Sequence, residues 1–315
     1  GGQIYLDSGS LIDVSGSIVS APASENIIEV ELRGAQLADS PLQRNGFLRG
    51  KKVTVNIGRS GTNADGSTWV GTPLADASGY VGLVQRTVGQ LTVDGGTVTL
   101  NAGNSVVAQT GSLVNVSNGW VDYQGGMLKT TRLLAANGGV YDISRATPDI
   151  EYVGLAGEWT RTHTRWGVTE TYRSPLLMGL AFEPGYLQGG DGGSVSIQSP
   201  DLILAGALQG SRVNGQWQQT SPTPASSFKL AMALQNSERI NNMFEIIAPA
   251  VTPDVVLGAG GAQRAVPAFD PVAAVLNANA LDPKTPVVLS PDLLGPSGFG
   301  NVAITSGNGD IRIAS

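Results

Sequence analysis

The sequence predicts an all-β fold of stacked repeats, a solenoid of short parallel strands with extruded loops and hairpins. Three observations carry this. A phrase of paired glycines followed by an alternating apolar strand recurs as Gly1-Gly2-Gln3-Ile4-Tyr5-Leu6, Gly95-Gly96-Thr97-Val98-Thr99-Leu100 and Gly192-Gly193-Ser194-Val195-Ser196-Ile197. A looser copy is Gly300-Asn301-Val302-Ala303-Ile304. A second phrase follows twice, as Gly9-Ser10-Leu11-Ile12-Asp13-Val14-Ser15 and Gly111-Ser112-Leu113-Val114-Asn115-Val116-Ser117. Third, glycine supplies 43 of the 315 residues and charged residues only 14%. That composition suits many short strands joined by turns. A unit this short cannot bury its own apolar face, so its copies must stack to share a core.

Taken in order, Gln3–Leu6 and Leu11–Val14 read as strands, with Asp7-Ser8-Gly9-Ser10 as the turn between them. Pro22, Pro41 and scattered charges mark residues 21–50 as a first extrusion, with Ile27–Leu32 a strand inside it. Lys52–Ile57 alternates as a strand, and residues 58–68 read as a polar, glycine-rich loop. Thr72 with Pro73 behind it is a helix-start signal, which Gly79 and Gly82 limit to one or two turns.

Val88–Val93, Thr97–Leu100, Val106–Ala108, Leu113–Val116 and Trp120–Tyr123 read as strands of the stack, continued by Met127–Ala135 and Gly139–Ile143. Residues 145–190 form a second extrusion, with a hairpin on either side of Gly167. Gly192–Ile197 and Leu202–Leu208 rejoin the stack. Residues 211–295 form a third extrusion. Phe228–Leu234 alternates within it, a short helix is expected after Ser237, and residues 248–286 read as a wrapping loop. Pro286–Ser290 and Asn301–Thr305 return to strands. Inward positions hold Ile, Leu and Val, outward ones Thr, Ser, Gln and Asn, and glycine is expected at the corners for its dihedrals. A coil of about 20 residues is the expected repeat. The whole of residues 1–315 reads as one such segment, and both ends look cut from something longer.

The net charge of −6 offers no basic field for nucleic acid. Its one tight basic cluster, Arg49, Lys51 and Lys52, reads as a solvated strand edge. With no cysteine, disulfide scaffolds, zinc ribbons and thiol nucleophiles are excluded. No apolar run reaches transmembrane length.

Catalytic patterns are also missing. A polysaccharide-degrading β-helix needs clustered carboxylates, and Asp7, Asp13, Asp94, Asp122 and Asp142 are spread one per strand or turn. His163 is the only histidine, too few for a multi-histidine metal site, and no Gly-x-Ser-x-Gly elbow accompanies it. Gly307-Asn308-Gly309-Asp310 is a single, incomplete copy of a calcium-binding repeat. No catalytic, metal or cofactor site is therefore assigned. The candidate ligand contacts are Trp159, His163, Arg165, Trp166 and Tyr172, gathered in the proposed hairpin. Aromatic rings with polar tips suit sugar or protein contacts, or they anchor the hairpin to the stack.

Four stretches carry a family resemblance: Val30-Glu31-Leu32-Arg33-Gly34, Ala38-Asp39-Ser40-Pro41-Leu42-Gln43-Arg44, Trp69 to Tyr80, and Gly185 to Gly193. With the strand phrases between them, they resemble large filamentous haemagglutinin-like exoproteins of Gram-negative bacteria, over most of residues 1–210. The resemblance implies a right-handed parallel β-helix shaft in a secreted or cell-surface adhesin. It implies two-partner secretion through an outer-membrane transporter, recognised by a region outside this chain. Host or bacterial surface glycans or proteins are the expected partners, met by loops or by distal regions. Two other readings are a carbohydrate-binding β-helix module and a polysaccharide-degrading β-helix enzyme.

Overall fold

The computed structural model describes residues 2–174, 179–219, 221–232, 252–258, 265, 269 and 285–314. It is an all-β protein with only single-turn helices among the described residues. The recurring phrases pair with one another as parallel strands. Thr97–Asn101, Ser194–Ser199, Ser227–Met232 and Asn301–Ser306 form one four-stranded parallel sheet. Gln3–Leu6, Ser105–Ala108 and Asp201–Leu204 form a second, and Leu11–Asp13, Leu113–Asn115 and Ala207–Gln209 a third.

The register sets like against like. Val98, Val195, Phe228 and Val302 are successive partners, as are Leu100, Ile197, Leu230 and Ile304. Ile4, Val106 and Leu202 do the same in the second sheet, and Ile12, Val114 and Leu208 in the third. These rows meet in one core, in which Ile197, Leu230, Val106 and Leu202 are wholly buried. Alternation decides which side chains enter it, because a one-residue slip would turn each row outward. The outward rows are polar, and Thr97 and Ser194 share a hydroxyl hydrogen bond of 2.9 Å.

Stacked partners stand far apart in the chain. Thr97 and Ser194 are separated by 97 residues, and Gln3 and Ser105 by 102. The expected repeat of about 20 residues is therefore not the spacing between these paired strands, which lie about five times farther apart in the chain. One strand is also out of order: Val287–Leu289 pairs with Val255–Leu257 and lies against Asp201–Leu204, while Val255–Leu257 pairs on its other side with Ile311–Ile313. Residue 269 places its ring on the first strand, with Phe269 and Tyr5 centroids 5.1 Å apart.

The glycines of the two phrases have different reasons. Gly9 and Gly111, which open the second phrase, take φ of 81° and 90°, a left-handed turn that other residues resist. The paired glycines of the first phrase do not. A Cβ on Gly95 would lie 2.2 Å from the Val116 carbonyl oxygen, and one on Gly193 would lie 2.4 Å from that of Gly96. Close passage of one chain over another, not dihedral freedom, requires them.

The excursions are more than loops. Antiparallel pairs Ile27–Glu31 with Lys52–Asn56, and Ser60–Thr62 with Thr68–Thr72, join Arg132–Ala135, Val140–Asp142 and Tyr152–Leu155. They share a second core containing Leu32, Leu37, Leu48, Val55, Leu74, Leu133, Ile143 and Tyr152. This corrects the reading of Met127–Ala135 and Gly139–Ile143 as part of the stack. Alternation shows that a strand has a buried face, but not which neighbour covers it. Residues 58–68 are likewise half of a hairpin rather than a plain loop.

Val88–Leu91 is a helical turn, not a strand. Thr87 and Gln90 form a reciprocal capping box there, and Val88 and Leu91 face solvent. The turn expected after Thr72 lies later, at Ser78–Val81. Within 211–295, Ser227–Met232, Val255–Leu257 and Val287–Leu289 belong to the main core, so that stretch is not one continuous extrusion. The helix expected after Ser237, and most of the loop at 248–286, lie outside the described residues.

A third cluster joins the two cores. Tyr186 stacks on Tyr123 at 4.9 Å and on Trp217 at 4.0 Å, and accepts a 2.5 Å hydrogen bond from Asn26. Arg86 closes the joint, donating to the Asn26 side-chain oxygen at 2.7 Å and to the Tyr123 hydroxyl at 3.2 Å. Burial pushes the Tyr186 hydroxyl far above its ordinary pKa, so it stays protonated.

Candidate functional site: the projecting hairpin

Glu158–His163 and Val168–Arg173 form an antiparallel hairpin turning at Gly167, where φ is 64°. Both strands are largely exposed, so the hairpin stands away from both cores. Its base is fixed electrostatically. The Glu158 side chain is only 6% exposed and bonds Lys51 at 3.0 Å and Arg173 at 2.9 Å. Burial alone would raise the Glu158 pKa, but the hydrogen bonds and charges of Lys51 and Arg173 outweigh it and hold the carboxyl below its ordinary range.

The pleat sorts the side chains onto two faces. Thr160 lies opposite Thr171 and Thr162 opposite Thr169, with a 3.1 Å hydroxyl contact in the second pair. The other face pairs Trp159 with Tyr172, Arg161 with Glu170 and His163 with Val168. Trp159 and Tyr172 stack at 5.6 Å with planes 16° apart. Glu170 then orders the row, accepting from the Tyr172 hydroxyl at 2.5 Å and lying 3.3 Å from His163 Nε2. At the tip, Trp166 tilts over His163 at 5.7 Å and is 71% exposed.

The hairpin thus brings Trp159, His163, Trp166 and Tyr172 together, with Arg165 exposed in the turn. Trp159 and Tyr172 are 51% and 40% exposed, so they stack on each other rather than being buried as anchors. Such a face offers flat apolar area beside a carboxylate and an imidazole.

Several other polar residues named from the sequence make local hydrogen bonds or ion pairs. Asp13 and Asp142 accept backbone N–H groups two residues on. Asn308 accepts from Thr252 N–H at 2.8 Å, which makes the Gly307–Asp310 turn a staple. Lys51 and Lys52 of the basic cluster pair with Glu158 and Glu29. Among the described residues, no three histidine, cysteine or acidic groups are placed to hold a metal. Sequence reasoning missed one gathering: Arg59, Arg132 and Arg145, from three separate segments, line one cleft beside the second core, here called the lateral cleft. No local motif marks it, because antiparallel pairing assembles it from distant strands.

No protein-family model, no curated protein and no solved structure matches this chain.

Proposed function

We propose that this chain is a shaft segment of a large secreted or surface-exposed bacterial adhesin, and that its parallel sheets are faces of a right-handed β-helix. The observation that carries this reading is the in-register parallel pairing of the recurring phrases, with long excursions set to the side between them. A rod built so holds binding regions away from the surface that bears it. The phrases that resemble the exoprotein family fall around the second core and at Gly185–Gly193, where an adhesin of that kind would carry its decorations. Transport through a dedicated outer-membrane partner, and a location outside the cell, follow from the resemblance.

A second reading is favoured by the stacked Trp159–Tyr172 face and the exposed Trp166: a carbohydrate-binding module using the hairpin. A polysaccharide-degrading enzyme is less well supported. The lateral cleft holds two carboxylates, Asp142 and Glu183, but every oxygen is engaged. Both Glu183 oxygens accept from Arg59 at 2.7 and 2.8 Å, and those of Asp142 accept from Ser144 and Thr130.

A glycan array with the purified segment, beside the folded Trp159→Ala/Trp166→Ala variant, separates the readings. A shaft alone gives no binding. Binding lost in the variant makes the hairpin a recognition site. Release of shortened sugars from any bound polysaccharide would overturn the non-enzymatic reading.

A further inference from the structure

The lateral cleft has the makings of a binding site distinct from the hairpin. Its volume is about 560 Å³, within the usual range for small-ligand sites. It forms where Arg132–Ala135 and Val140–Asp142 lie beside the pair Gly126–Leu128 and Ala181–Glu183. Leu128, Val140, Tyr141 and Phe182 give it apolar lining, with Phe182 68% exposed. Charged side chains line it as well.

Three guanidinium groups and two carboxylates line the cleft, a net positive site in a chain of net charge −6. The charges are unequally committed. Arg59 pairs with Glu183, one terminal guanidinium nitrogen donating to both carboxylate oxygens. Asp142 is consumed by Thr130 and Ser144, although Arg132 is its partner across the strands. Among the described residues, no carboxylate forms an ion pair with Arg132 or Arg145.

Arg132 lies close to Gly179, whose φ is 66°: a Cβ there would lie 2.9 Å from the guanidinium carbon, so a larger residue would push the side chain aside. A guanidinium fork matches a carboxylate in its plane. Asn56 and Tyr141, which carry neutral polar groups of the kind that meet sugar hydroxyls, also line it, and the Asn56 side-chain nitrogen is buried without a hydrogen-bond partner among the described residues.

We propose that this cleft binds a carboxylate-bearing saccharide, a uronic or sialic acid unit. Arg132 and Arg145 receive the carboxylate, and Tyr141 and Phe182 face the apolar side of the ring. The proposal does not rest on the hairpin or on the shaft reading.

Calorimetric titration of the whole chain tests it, with glucuronate, galacturonate and N-acetylneuraminate oligosaccharides, their neutral counterparts and a short acidic peptide as probes. At least one acidic saccharide is expected to bind, with neutral counterparts at least tenfold weaker. Arg132→Gln/Arg145→Gln is expected to weaken binding at least tenfold with an unchanged melting temperature. Gly179→Ala is expected to weaken it less. Leu83→Ala, at an exposed position outside the cleft lining, is expected to leave it unchanged. Absence of binding by the folded chain at millimolar probe overturns the proposal. So does equal binding of neutral sugars, binding that survives the double arginine change, or a preference for the acidic peptide.

Discussion

Replacing Gly193 with alanine probes a close backbone passage between the paired phrases. The added Cβ would lie 2.4 Å from the Gly96 carbonyl oxygen and 2.5 Å from that of Val116. Both obstacles are backbone, so no side chain can swing aside. Reaching even 3.0 Å needs a shift of about 0.6 Å, and steep repulsion makes the chains separate instead. The shift strains three hydrogen bonds: Gly193 N–H to Val116 at 3.1 Å, Ser194 N–H to Gly96 at 2.9 Å and Ser227 N–H to Gly193 at 2.9 Å. Overpacking costs roughly 1–3 kcal/mol, and loss of one of these backbone hydrogen bonds about 1 kcal/mol more, so the expected loss is about 2–4 kcal/mol. The control is Gly126→Ala, where a Cβ meets nothing within 4 Å and φ is not left-handed. It should change stability by no more than about 0.5 kcal/mol. Urea denaturation of both variants, followed by circular dichroism, measures the difference. Equal midpoints would refute the claim that the paired glycines exist for close backbone passage.

The joint between the cores gives a graded test. Tyr186→Phe leaves Asn26 without its acceptor and should cost about 1–3 kcal/mol, whereas Tyr186→Ala also empties the ring stack and should cost about 3–5 kcal/mol. Calorimetric melting orders the two. At the hairpin base, Glu158 has a folded-state pKa below its unfolded value of 4.5, so its contribution is present above that pH and is lost as pH falls through the folded value. Glu158→Gln should therefore lower stability by about 1–2 kcal/mol at neutral pH. Melting at several pH values should show the gap to wild type closing only below pH 4.5. Asp191 behaves oppositely. Burial first, and the nearby Asp94 second, push its pKa up, so its ionised form opposes folding at neutral pH. Asp191→Asn should raise the melting temperature at pH 7 and leave it unchanged at pH 3. Trp166→Ala, at an exposed tip, should move stability by less than about 0.5 kcal/mol in the same assay.

Much of the strand content was legible because alternation is a local signal. Thr97–Leu100 and Ser194–Ile197 announce a buried face, and their matching spelling announces that they pair. The hairpin was legible too, since strand-forming residues flank Gly167. What could not be read was partnership over distance. Leu133 and Tyr141 alternate as well as Val195 does, yet they pack under Leu32 and Leu48, far back in the chain. Val88–Leu91 was misread because the apolar residues there are exposed, and Thr87 with Gln90 was the overlooked cap. The rings of the candidate site follow from their own short segment. The lateral cleft does not, because Arg59, Arg132 and Arg145 meet only through tertiary pairing.

The central claim is that the recurring phrases stack as parallel strands in one register. The chain has no cysteine, so a pair introduced at Thr99→Cys and Ser196→Cys reports that register directly. These positions are Cα partners on the outward face, and neighbouring strands stand about 4.8 Å apart, within disulfide reach. Rapid disulfide formation in the folded protein is expected for this pair and not for Thr99→Cys with Gln198→Cys, two residues out of step. Equal cross-linking of both pairs, or of neither, would contradict the account.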